Sequence, residues 1–218
     1  MMRRTVRGNL AVMERSLDPS LQRLDDDRDQ VIVMHGVSWA SYEALVRARG
    51  DARQPRMAYL DGTLQIMTTG VLHELDKTLL SRLLEAYADG AEVSLNGAGA
   101  TTFRKKAKRV GLEPDECYWI GAITPVPDLA LEIVHTNGGI DKLEIYRRLG
   151  VGEVWFWIDG RIRVYVLGQD GFHARTLSTA LRGVDLDELA RLCQASNYDR
   201  QTETVRAYRR AVARRHAK

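Results

Sequence analysis

Apolar and polar positions along this chain alternate with two different periods, and the switches between them mark out its elements. From Ser38 a helical spacing sets in: Trp39, Tyr42, Leu45 and Val46 share one face, with Ser38 placed to cap the helix and Gly50 to stop it. Residues 57–60 and 63–67 then flank Asp61-Gly62, a dipeptide suited to the two-residue turn of a β-hairpin. Leu72, Leu75, Leu79, Leu83 and Ala86 predict a long helix over about residues 71–88, with Gly90 beyond its end. Short strands are expected at 92–95 and 100–103, and longer ones at 114–120 and 127–134, the last two joined by a connection holding Gly121 and Pro125. Ile140, Leu143, Tyr146 and Leu149 give a helix ending at Gly150. A second hairpin follows, with 153–158 and 161–167 around Asp159-Gly160; its first strand is apolar on both faces, as a central strand is, and its second alternates. Asp185 and Glu188 form a capping box before Leu186, Leu189 and Leu192, and a last helix carries Val205, Tyr208 and Val212. The order α-β-β-α-β-β-β-β-α-β-β-α-α predicts an α/β (α+β) fold, a mixed β-sheet flanked by helices.

Two acids interrupt this pattern at informative places. If 114–120 and 127–134 pair antiparallel, the start of the first strand lies beside the end of the second, and Asp115 meets Glu132. Glu132 sits within the apolar run Leu129-Ala130-Leu131-Glu132-Ile133-Val134, where a core-facing acid is unfavourable unless it is paired or bound to metal. Converging carboxylates relieve their repulsion with a shared proton or a divalent cation, and oxygen ligands favour magnesium or manganese over zinc. Turn chemistry alone also accounts for an Asp after a Pro, as in Pro114-Asp115 and Pro127-Asp128. Asp128 falls at the opposite end of the pair, roughly 13 Å from Glu132 at about 3.3 Å per residue, and is the weaker candidate. His73 and Glu74 occupy the first turn of the long helix, where Glu74 reads as ordinary capping and His73 as either a surface residue or an acid or base. The Gly97/Gly99 pair matches no phosphate-loop pattern.

Charge is unevenly spread although the formal net value is only +3. Arg104, Lys105, Lys106, Lys108 and Arg109 crowd the stretch before Asp115 and are expected to contact nucleic-acid phosphates. Arg206, Arg209, Arg210, Arg214, Arg215 and Lys218 crowd the C-terminus and read as a solvated face. A length of 218 residues with 44% hydrophobic content suits a single domain, here 31–218 with its C-terminal helices, after a flexible or loosely docked extension over 1–30. No run approaches the roughly 20 apolar residues that cross a bilayer, and the first residues lack the apolar stretch of a signal peptide, so a cytoplasmic protein without membrane contact is expected. Cys117 and Cys193 lack zinc-like spacing and are expected to be reduced, buried and inert.

Tyr59-Leu60-Asp61-Gly62 through Met67 with His73 after it, Thr101-Thr102-Phe103-Arg104, Gly111-Leu112-Glu113-Pro114-Asp115-Glu116-Cys117-Tyr118, Pro127 through Ile133, Lys142-Leu143-Glu144-Ile145-Tyr146, and Leu149-Gly150-Val151-Gly152-Glu153-Val154-Trp155 form a set of stretches. Together they resemble the Uma-type restriction endonucleases of the PD-(D/E)XK nuclease superfamily. In order, they span about residues 35 to 210. The resemblance implies a restriction-endonuclease-like core in which Asp115 and Glu132 hold Mg²⁺ or Mn²⁺ and a lysine acts on the attacking water. The superfamily places that lysine two residues after the glutamate, where this chain has Val134. Lys142 resembles a lysine migrated to the following helix, and His73 or Glu74 would contact the metal or its water. Two functions follow as expectations: a metal-dependent endonuclease acting on DNA, or a catalytically impaired module that keeps the fold and binds nucleic acid or a partner. A homodimer through the hairpins and the Trp155/Trp157 strand is a further expectation, although that strand reads more simply as core.

Overall fold

The runs rich in β-branched and aromatic residues fold as strands, and the helical periods as helices, in a computed structural model that describes residues 28–135 and 139–217. Most of the expected extension, residues 1–27, lies outside the described residues, whereas Asp29 and Gln30 at its end belong to the fold. A strand unmarked by the period analysis, β1 (Gln30–Met34), opens the described chain, followed by α1 (Trp39–Arg49), β2 (Arg56–Leu60), β3 (Thr63–Thr68) and α2 (Val71–Gly90). Then come β4 (Leu95–Gly97), β5 (Phe103–Lys105), a 3₁₀ turn at Lys106–Lys108, β6 (Val110–Leu112), β7 (Glu116–Ile120), β8 (Leu129–Val134) and α3 (Lys142–Leu149). The second hairpin is β9 (Glu153–Ile158) and β10 (Arg161–Leu167), extended by β11 (Phe172–Arg175) and followed by α4 (Leu186–Leu192), a 3₁₀ segment at Ala195–Arg200 and α5 (Gln201–His216). Both expected hairpin turns have positive φ at both central residues, 46° and 99° at Asp61-Gly62 and 51° and 71° at Asp159-Gly160, which matches the twist of the flanking strands.

The expected mixed sheet flanked by helices is present as six strands in the order β11-β10-β9-β8-β7-β4, and a second sheet, β1-β3-β2-β6-β5, accompanies it. The second sheet is antiparallel throughout. In the first, β8 and β9 are parallel, joined by α3 as the crossover. Periods could not separate two sheets because the chain returns to the first after β6 in one short step. The strand expected at 92–95 lies instead at Leu95–Gly97, since Glu92 turns through a left-handed conformation (φ 55°). That expected at 100–103 begins only at Phe103.

Two apolar layers enclose β8 and β9. On one face Leu79, Leu80, Leu83 and Leu84 of α2 pack with Leu129, Leu131 and Trp155, backed by Tyr208 and Val212 of α5. On the other, Ile145 and Tyr146 of α3 meet Ala130, Val154 and Phe156, together with Ala58, Val110 and Leu112 of the second sheet. Burial on both sides explains why these strands are apolar without alternation. Trp155 and Trp157 are 0% and 2% exposed, so the aromatic strand is core and offers no dimer surface. Buried Glu153 ties the 178–180 segment to β9: it accepts from Trp155 Nε1 (2.5 Å), Ser178 Oγ (2.6 Å), Thr179 N (2.8 Å) and Ala180 N (3.0 Å). No helix among the described residues is long and apolar enough to cross a membrane, and both cysteines are free and buried.

A third cluster fixes the second sheet under α1, where Tyr42 stacks on Tyr59 at 5.0 Å between ring centroids. Gly111 on β6 lies so close that an added Cβ would stand 2.3 Å from Tyr42 Oη. Gly111→Ala is therefore expected to destabilise the protein by about 1–3 kcal/mol through overpacking, measured by urea unfolding; an unchanged midpoint would mean that the ring moves aside freely.

Candidate active site

The register of β7 on β8 pairs Glu116 with Leu131, which sets Asp115 across from Glu132 as the antiparallel reading requires. Asp115 and Glu132 are 1% and 0% exposed. Asp115 Oδ2 accepts the Ile133 backbone N–H at 2.7 Å, so the carboxyl is fastened directly to the strand that carries Glu132. Upstream, buried Glu113 accepts from Arg49 (2.5 Å), Thr102 Oγ1 (2.7 Å) and the Met57 N–H (3.3 Å), pinning the segment that delivers Asp115 to β2. Asp128 lies at the far end, where its Oδ2 accepts the Ile120 N–H at 2.8 Å, a turn contact remote from the pair.

Glu132 is held from α3. Lys142 Nζ stands 2.5 Å from its Oε2, and the Tyr146 hydroxyl, one helical turn on, donates to its Oε1. Asp141 caps α3 by accepting the Glu144 N–H at 2.9 Å, so the first turn that carries Lys142 is fixed in direction. Burial, and then the charge of Glu132, push the Tyr146 hydroxyl well above its ordinary pKa. It therefore remains a proton donor to the carboxylate.

Asp115 is held from the other sheet and from α2. Arg56 Nη1 donates to its Oδ1, and His73 Nε2 lies 3.0 Å from the same oxygen. His73 Nδ1 in turn lies 2.8 Å from Asp29 Oδ2, while Asp29 Oδ1 accepts the Gly70 N–H at 2.9 Å and so anchors the residue that precedes α2. His73 is 1% exposed, which rules out the surface reading. Burial lowers its pKa, with the Asp29 hydrogen bond acting the other way. Burial raises the Asp29 carboxyl, but the His73 hydrogen bond and charge outweigh it and leave that pKa lowered. Glu74 faces Arg56 Nη2 at 3.3 Å and accepts from Thr69 Oγ1 at 2.7 Å, so it braces the guanidinium, which stands between it and Asp115. Nearby, His135 Nε2 is 3.1 Å from buried Asp76, and its ring lies 5.9 Å from that of His73.

Asp115, Glu132, Lys142 and His73 are thus brought together, whereas the basic run is not. Lys105 Nζ and Lys108 Nζ donate to the carbonyls of Leu149 and Arg148 at 2.6 and 2.7 Å, closing the C-terminal end of α3, and Arg109 lies 3.9 Å from Asp61. Arg104 and Lys106 are exposed. Val110 pairs with Leu60 at one end of β2 and Arg109 lies by Asp61, whereas Asp115 meets Arg56 at the other end, so the run and the carboxylates lie at opposite ends of that strand. Arg56, Asp29 and Tyr146 were not among the expected site residues. Arg56 opens β2 directly after Arg53-Gln54-Pro55, so it interrupts no apolar run and carries no signal like that of Glu132.

Chemically, the pair suits a hard divalent cation. Magnesium is commonly held by one or two carboxylates, its other positions going to water and substrate oxygens. The donors above use one lone pair on each Glu132 oxygen and one on Asp115 Oδ2, leaving others free on all three. No group of three or more His, Cys, Asp or Glu that could hold a metal ion occurs among the described residues. A cleft of ≈ 370 Å³ runs from Lys142 between the two sheets, bordered by Asp29 and Gln65. Residues 39–196 match the model of one protein family, Uma2, described as "Putative restriction endonuclease". No curated protein matches the chain.

Proposed function

The chain belongs to the Uma2 family, and from that premise we propose that it is a divalent-metal-dependent endonuclease hydrolysing phosphodiester bonds in DNA. The observation that carries this reading is the 2.5 Å approach of Lys142 Nζ to Glu132 Oε2, which supplies from α3 the cation missing at Val134. Asp115 and Glu132 would hold Mg²⁺ or Mn²⁺. The bound cation would acidify a water and offset charge developing on the scissile phosphate.

The chain's own residues divide the remaining work. Lys142, anchored by Glu132 yet partly open to the cleft, places its ammonium against the attacking water and a phosphate oxygen. Tyr146 keeps the Glu132 carboxylate in one orientation. Arg56 and His73 fix Asp115 and spread its charge, and Asp29 orients the His73 ring. None of these groups needs the basic run over 104–109, whose part would be to hold flanking phosphates at a distance from the chemistry.

Cleavage of supercoiled plasmid in Mg²⁺ or Mn²⁺ by the natural protein and by Lys142→Ala tests the reading. The natural protein is expected to nick or linearise, and Lys142→Ala to lose about 10²–10³-fold in rate, the scale of removing one preorganised charge stabiliser, with DNA binding retained. Equal rates would remove Lys142 from the chemistry. Binding by the natural protein without cleavage would favour the impaired binding module, for which Val134 is the motive.

A further inference from the structure

The cleft beside Lys142 also carries apolar surface that a phosphate would not use. Its floor and walls are Phe156, Tyr165, Met67 and Val31, and the Phe156 and Tyr165 rings meet edge to face at 5.7 Å. Asp29, Asp141, Lys142 and Gln65 add polar groups to this lining. Gln65 is 6% exposed, and its Oε1 accepts the Ile140 backbone N–H at 2.9 Å. That bond fixes the amide orientation, because a backbone N–H must face the oxygen, and leaves Nε2 as a donor at the cleft wall.

We propose that this cleft receives a single unstacked nucleobase of the strand being cut, with Gln65 Nε2 donating to a ring nitrogen or carbonyl of that base. The proposal rests on the nuclease reading and deepens it. Its volume, ≈ 370 Å³, is at the small end for ligand sites and accommodates a nucleobase. Aromatic and aliphatic lining suits the flat face of a base, and the Gln65 amide donor suits its acceptor edge. Lys142 lines the cleft and also contacts Glu132, so a base seated here belongs to a nucleotide at or next to the scissile phosphate. A stacked duplex hides base faces, so the substrate must present an unpaired base or have one extruded.

The test is fluorescence anisotropy in EDTA, where nothing is cut, comparing a short oligothymidylate with an abasic strand of equal length. The natural protein is expected to bind the base-bearing strand roughly fivefold or more tightly, the lower end of what stacking one base contributes. Val31→Trp, which fills the cleft from the edge strand, is expected to bring the two affinities together, and Gln65→Glu to weaken the base-bearing strand more than the abasic one. Thermal melts of both variants at natural values exclude misfolding as the cause. Equal binding of the two strands by the natural protein overturns the base pocket and leaves the nuclease reading standing. Failure to bind either strand, together with failure to bind or cut plasmid, overturns both.

Discussion

Glu132→Gln is expected to abolish plasmid cleavage, by about 10³-fold or more, while leaving a folded protein. Glu132 is fully buried, and its two oxygens are held by Lys142 and Tyr146. Glutamine keeps the shape and can still accept the Tyr146 hydroxyl through its own carbonyl, so packing survives. The lost charge is what matters to the reaction. Half of the carboxylate pair proposed to hold the cation disappears, and metal-derived stabilisation of several kcal/mol goes with it. Lys142 also loses its anionic anchor, but with its head partly open to the cleft it can turn toward solvent. Glu132→Ala is the harsher change: it leaves a hydroxyl and an ammonium without their acceptor, and about 3–5 kcal/mol of stability is expected to go as well. Plasmid assays on both variants, beside thermal melts with and without Mg²⁺, separate the two effects. Cleavage by Glu132→Gln within tenfold of natural would place the chemistry elsewhere.

Arg56→Met is expected to lower stability by about 3–5 kcal/mol, the scale of removing one partner from a buried ion pair. At 2–4 °C per kcal/mol for a chain of this size, the melting temperature should fall by roughly 6–20 °C. Arg56 and Asp115 have side chains 7% and 1% exposed, so little water can replace the guanidinium, and His73 alone remains on that oxygen. Asp115→Asn in the same chain should recover part of the loss because the stranded anion is gone. Urea unfolding of the natural protein, the two single variants and the double variant measures the coupling directly. Added Mg²⁺ should raise the melting temperature of Arg56→Met more than that of the natural protein, since a cation would then have Asp115 to itself. A loss under about 1 kcal/mol would mean that the pair contributes little beyond its neighbours.

Legibility in the sequence followed the range of each interaction. The facing of Asp115 and Glu132 could be read because two adjacent strands and one turn decide it. Lys142 could not be found by period or spacing: it is a lysine in the first turn of a helix, and only the family resemblance raised it. His73 was flagged for its position, yet its burial depends on Asp29, which precedes a strand in a segment without sustained period. β1 is short and lies against β3 in a register that no local signal fixes. The basic run is close to Asp115 in sequence but not in space, since β6 lies between Arg109 and Asp115. Two sheets were read as one because β2, β3 and β6 give the same alternation whichever sheet they join.

The candidate centre is also assembled across very different spans of chain. Lys142 and Glu132 are 10 positions apart, whereas Arg56 and Asp115 are separated by 59, and Asp29 and His73 by 44. Closing the short loop is fast and the long ones slow, so the lysine can find its glutamate before the two sheets dock. Asp115 gains its guanidinium and its imidazole only when β2, α2 and β1 have all arrived. A half-folded chain therefore carries no finished centre, and a protein that cuts DNA would be harmless to its host until its last sheet is in place.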